Sequence, residues 1–299
     1  MTMTKIDTRL SQQNSGRRWR CRVYESASEM AADFVTCGLR DPGYGSEFMG
    51  ESIHMAIANA RGAGRPDLVS QAEKLLDKVT VALDIPHDAW ERSVCGAYPV
   101  VAEFLAGVPN PMRRRVQVSS DRAPVKIVVD LTSGVVITAD VLLRRGIACL
   151  ALAMALSQER AVELWAFQAT GADSLQPSTD DQHGTMWLVA RSGEPLDLAR
   201  AAGALASTGL IRGVGYQFNN HGIGRKVSGW AFGGSNAVIN NGTNPDRYER
   251  IAREALGLKS TDVFIRPLSS YDPDADRPVE FVQKQLAAIS ARSEQGTEW

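Results

Sequence analysis

The segment 125–167 constrains this chain more than any other. Val125-Lys-Ile-Val-Val-Asp130 is a β-branched apolar run of strand length, closed by the turn residues Ser133 and Gly134. Thr138 then stands where a helix cap belongs. The helix it opens carries Leu142, Leu143, Ile147, Leu150, Leu152 and Leu156 around an arc so wide that almost every side must be buried. Ala161-Val-Glu-Leu-Trp-Ala-Phe167 reads as the next strand. Strand, buried helix and strand make a crossover unit, which predicts parallel pairing and a right-handed connection. The alternation continues, with strands expected at 185–190, 210–218, 227–232 and 262–267 and helices at 195–207, 245–256 and 277–289. The predicted class is α/β, a mostly parallel sheet with helices on both faces in an A-domain or Rossmann-like arrangement.

Ahead of that region, residues 26–115 read as helical. Ser26 with Glu29 three positions on is a capping box. Helices at 51–61 and 67–83 follow, the second with Leu68, Ala72, Leu75, Leu76, Val79 and Leu83 at helical spacing. A short helix is expected at 96–107, entered through Pro99 and left through Gly107. Residues 1–22 carry Lys5, Arg9, Arg17, Arg18, Arg20 and Arg22 against Asp7 alone, and the stretch 1–25 reads as a flexible basic arm. The expected division is therefore an arm at 1–25, a helical region at 26–115 and an α/β domain at 116–299.

Composition removes several function classes. With 33 basic and 34 acidic residues, the 299-residue chain has no global pull toward nucleic acid or anionic membrane. An apolar fraction of 44% with 22% charged residues excludes a disordered or fibrous protein. No apolar run approaches the ~18 residues of a membrane span. The polar start lacks a signal core, so the expectation is a cytoplasmic protein, in the host cytoplasm if phage-encoded. Cys21, Cys37, Cys95 and Cys149 are scattered, which argues against a zinc ribbon or a disulfide framework. The G-x-S-x-G, H-E-x-x-H and H-x-E…C-x-x-C patterns are all absent from the sequence.

The order strand, Asp130-Leu-Thr-Ser-Gly134, long helix, strand resembles the opening of a von Willebrand factor A-type domain. In that family an Asp-x-Ser-x-Ser motif at the first strand's end holds a divalent cation through hard oxygen ligands. Asp130 matches the Asp and Thr132 the first hydroxyl, while Gly134 stands where the second hydroxyl belongs and Ser133 lies one residue off. The resemblance implies a degenerate metal site at Asp130, Thr132 and Ser133, with no cofactor as the main expectation and Mg as the alternative. It also implies a rim that docks a protein partner, an AAA+ ATPase among the candidates. The region 96–164 is similar to an uncharacterised family of bacteriophages and some actinobacteria. That similarity rests on Cys95-Gly-Ala-Tyr-Pro-Val-Val-Ala-Glu-Phe-Leu-Ala-Gly-Val-Pro-Asn-Pro-Met-Arg-Arg114 and on Leu142-Leu-Arg-Arg-Gly-Ile-Ala-Cys-Leu-Ala-Leu152. It implies a phage- or mobile-element-encoded chain with a phage or host protein as partner.

Three function classes follow from these residues. The favoured one is a non-enzymatic protein-binding adaptor. The second is a metal-dependent phosphoester-processing enzyme, in which Asp130, Thr132, Asp181, His183 and His221 converge on a strand-end cleft. His221 leads that set because its glycine-rich loop also holds Arg225 and Lys226. The third is a nucleic-acid-binding protein using Arg17, Arg18, Arg20 and Arg22 with Arg113, Arg114 and Arg115, and with Trp19 stacking on bases.

Overall fold

The structure is a computed structural model that describes residues 4–9, 11, 18–39, 46–83, 90–93, 98–99, 105, 107, 112–115, 124–133, 137–170, 181–221, 245–268 and 277–295. Its first departure from the sequence reading comes at the N-terminus. Arg18-Trp-Arg-Cys-Arg-Val-Tyr24 alternates basic with apolar residues, the two-residue period of a half-buried strand. Strand β1 (Thr4–Arg9) pairs antiparallel with β2 (Arg18–Tyr24). Trp19, Cys21 and Val23 are buried, and Arg20 and Arg22 only partly so. Residues 4–9 and 18–24 are therefore sheet strands and not a free arm. Counting charge hides an alternation that position reveals.

Ser26 caps α1 (Ala27–Thr36), its hydroxyl accepting from the Glu29 amide at 3.0 Å. Then come α2 (Ser46–Met49), α3 (Ile53–Arg61) and α4 (Pro66–Leu83). The short strands β3 (Trp90–Ser93), β4 (Tyr98–Pro99) and β5 (Met112–Arg115) form a separate antiparallel sheet in the order β3-β5-β4. The region 26–115 is thus not helical throughout. Of the helix expected at 96–107, Tyr98–Pro99 is strand, and most of the remainder lies outside the described residues.

The crossover unit forms where the sequence places it. β6 (Val125–Asp130) and β7 (Val162–Thr170) pair parallel across α5 (Ala139–Glu159), which Thr138 caps by accepting from the Val141 amide at 3.3 Å. β8 (Asp181–Ala190) runs antiparallel to β7. The helix α6 (Leu198–Ala206) leads into a π-helical turn, Leu210–Gly215, and α7 (Tyr216–His221). The strand expected at 210–218 is thus helical. Every residue from Leu210 to Phe218 is buried, and an uninterrupted buried run has no period to separate helix from strand. The strand expected at 227–232 lies outside the described residues. α8 (Pro245–Ala255), β9 (Val263–Ile265) and α9 (Pro278–Gln295) follow.

The large sheet has the order β1-β2-β8-β7-β6-β9. Its β2–β8, β6–β7 and β6–β9 pairings are parallel, and β1–β2 and β7–β8 are antiparallel. The sheet is mixed and mostly parallel. On α5 every residue from Ile147 to Leu156 is buried, between α4, α6 and α9. Gly146 permits that packing, because a Cβ there would meet the Leu205 carbonyl oxygen at 2.4 Å. Ile127, Val129, Leu164 and Trp187 join α5 in one buried cluster that also holds Met30, Ile53, Leu68 and Val79 of the N-terminal helices. A second cluster sets Trp19, Val128, Phe167, Met186 and Phe264 against Tyr248, Ile251 and Ala252 of α8. Among the described residues, no helix is long and apolar enough to cross a membrane.

Candidate functional site

One edge of the sheet gathers several of the polar residues that the sequence singles out. β6 and β7 end there, and β8 and β2 begin there, so Asp130, Thr132, Asp181, His183, Arg18 and Arg20 share that edge. Register then separates them. Asp130 is level with Phe167, which faces Met186, whereas His183 pairs with Thr170 and Arg20. His183 therefore stands two strands across and three residues along from Asp130, about 14 Å at ordinary strand spacing and rise. Strand parity puts Asp130 with Val128 of the second cluster and His183 with Trp187 of the first, on opposite faces. His221 ends α7. The backbone does not bring Asp130 and His183 together, and the side chains of Asp181, His183 and His221 lie outside what the structure describes.

Asp130 is 2% exposed, and both of its carboxylate oxygens are occupied. Oδ1 accepts from the Thr132 amide at 2.9 Å, and Oδ2 accepts from the Tyr248 hydroxyl on α8. The Thr132 hydroxyl accepts from the Ala169 amide at 2.8 Å, tying the loop after β6 to β7. Burial pushes the Asp130 carboxyl up to about 6, against the hydrogen bonds from Thr132 and Tyr248, which lower it. Burial and the adjacent carboxylate together hold the Tyr248 phenol well above its ordinary value.

These residues do not fit a divalent cation. Such an ion needs carboxylate oxygens facing it and room for its remaining ligands, water included, while the loop's carboxylate is buried with both oxygens already accepting hydrogen bonds. Gly134 contributes no hydroxyl. Ser133 faces the protein interior instead. Its carbonyl accepts from the Tyr216 hydroxyl, and its Oγ accepts from Arg212 Nη2 at 3.4 Å. Arg212 is fully buried. It also donates to the Phe48 carbonyl at 2.6 Å and to the Ile137 carbonyl, with its guanidinium 4.2 Å from the Phe48 ring centre. Burial lowers its pKa, opposed by Tyr216. Sequence reasoning misses Arg212, Tyr216 and Tyr248. A lone arginine inside Leu-Ile-Arg-Gly-Val-Gly is the available signal, since a buried charge must be hydrogen-bonded.

The basic set also changes. Trp19 is 1% exposed and stacks on Phe167 with ring centres 5.9 Å apart, so it is not available to bases. Arg20 reaches Asp7 at 3.8 Å, and Arg22 reaches Asp33 at 3.7 Å while lying over the Phe218 ring. Arg17 lies outside the described residues. Arg113, Arg114 and Arg115 sit on β5.

A family model described as a domain of unknown function, DUF7192, matches residues 12–290. The chain belongs to the DUF7192 family. No curated protein and no solved structure matches it. The DUF7192 span runs from ahead of β2 into α9, so the Trp19 strand, the N-terminal helices and the Asp130 loop all lie within it.

Within this DUF7192 chain, Asp130 makes stability depend on pH. Its folded pKa of about 6 lies above the ~3.9 of an unfolded chain. Its favourable contribution is complete below about pH 4 and is lost as pH rises through 6. In Asp130→Asn the amide oxygen keeps the Thr132 bond and the amide group can donate to the Tyr248 oxygen. From pH 4 to 8 the stability difference is expected to move in favour of the variant by up to roughly 3 kcal/mol. Urea titrations of both proteins across that range measure it, and a flat difference would mean that Asp130 titrates as an ordinary carboxylate.

Proposed function

We propose that this chain is a non-enzymatic protein-binding adaptor with a degenerate A-domain-like fold, encoded by a phage or mobile element. One observation carries the reading: the strand-end residues best suited to chemistry are spent on the protein's own hydrogen bonds. Asp130 anchors α8 through Tyr248, Thr132 anchors β7 through Ala169, and Ser133 anchors the π-helical turn. The parallel β6–α5–β7 unit with Asp130 at its strand end supports the A-domain-like part. With the metal ligands redirected inward, partner binding falls to surfaces outside that loop.

An affinity-tagged full-length chain, recovered from its native host and analysed by mass spectrometry, tests the reading. The expected result is one protein partner held equally by wild type and Asp130→Asn. Recovery of no protein above an untagged control would overturn it. A metal titration checks the same loop. Magnesium or manganese in millimolar amounts is expected to leave Tm unchanged, because a specific site would stabilise by mass action. A rise in Tm that vanishes in Asp130→Ala would restore the metal site.

A further inference from the structure

The strands β3, β4 and β5 hydrogen-bond to one another in a sheet of their own, in the order β3-β5-β4. Its registers sort the residues into two faces, since directly opposed residues share a face and neighbours along a strand alternate. Arg113 stands opposite both Arg92 and Tyr98, and Arg115 stands opposite Trp90. Trp90, Arg92, Tyr98, Arg113 and Arg115 therefore belong to one face. On the other, Glu91 stands opposite Arg114, and Ser93 and Pro99 stand opposite Met112. Glu91 is the only acidic residue in these strands, and register sets it against Arg114. The first face is left with three arginines, two aromatic residues and no acid from its own strands.

Three guanidinium groups on one face are costly to bury unless each finds a hydrogen-bonding or charged partner. Its chemistry suits an anionic occupant, and the aromatic residues narrow the class. Arginine meets phosphate through its planar fork, while Trp and Tyr offer flat surfaces on which bases stack. A duplex keeps its bases stacked on one another, so the aromatic positions have a use only on an unpaired strand. An acidic peptide would use the arginines and leave the aromatics without a role. We propose that the Trp90, Arg92, Tyr98, Arg113 and Arg115 face binds single-stranded nucleic acid, the arginines on phosphates and the aromatics on bases. This goes beyond the adaptor reading and uses none of the strand-end residues. The near-neutral chain does not oppose it, because a local patch is sufficient.

The test is fluorescence anisotropy of a labelled single-stranded oligonucleotide and its duplex, with the full chain at several salt concentrations. Single strand is expected to bind more tightly than duplex, with a log–log salt slope of about −2 for three phosphate contacts. Arg113→Ala with Arg115→Ala should lower affinity about tenfold or more and flatten that slope. Arg114→Ala, on the opposite face, should change affinity less than about twofold. Should the double variant fail to fold, photo-crosslinking of an iodouracil-containing strand to the wild type gives an independent readout, with adducts expected on Trp90 or Tyr98. Absence of binding at low salt would overturn the proposal. So would equal loss in Arg114→Ala, equal affinity for duplex, adducts confined to other residues, or displacement by polyglutamate as readily as by unlabelled strand.

Discussion

Replacing Arg212 with alanine is expected to cost about 3–5 kcal/mol of folding stability, a large part of the ~5–15 kcal/mol that holds a typical domain together. The guanidinium is fully buried and joins three separate pieces of chain: Phe48 on α2, Ser133 after β6, and Ile137 ahead of α5. Truncation would take one donor from each of these acceptors where water does not reach, and an acceptor left orphaned costs ~1–3 kcal/mol. Arg212→Lys keeps the charge, but a single ammonium cannot span acceptors that the planar fork reaches together. Its loss should be intermediate. Urea unfolding followed by circular dichroism measures both, and a cost below about 1 kcal/mol for Arg212→Ala would mean that water replaces the guanidinium.

Leu150→Ala is the second large effect, expected at about 2–5 kcal/mol. Leu150 is fully buried in the centre of α5, a helix that packs against α4, α6 and α9. A close-packed site surrounded by rigid helices relaxes little, so the methyl groups leave a cavity behind. The same unfolding measurement applies, and a loss under about 1 kcal/mol would place this side of α5 at the surface.

The crossover unit is legible in the sequence because its signals are local. The branched run of β6, the Thr138 cap and the all-round apolar character of α5 each lie within one element, and the Ser26 cap of α1 is read the same way. Three features escape for different physical reasons. β2 is hidden because its arginines read as a charge run, although the residues between them are the buried ones. The helical stretch from Leu210 to His221 is buried through Phe218, which erases the solvent face that gives a helix its period. The partners of the Asp130 loop are distant in sequence. Tyr248 lies 118 positions away, and on its own helix it reads as one more core aromatic. Asp130 is visible as a polar strand end, but its role depends on a residue that no local pattern connects to it.

Phosphodiester hydrolysis by the full-length protein in manganese, with wild type beside Asp130→Asn, asks most directly whether the strand-end loop holds the fold together or performs chemistry. Both proteins are expected to match the protein-free control, because the Asp130 oxygens are committed to Thr132 and Tyr248. Turnover by the wild type that disappears in Asp130→Asn, with Tm retained, would contradict the structural role assigned to Asp130.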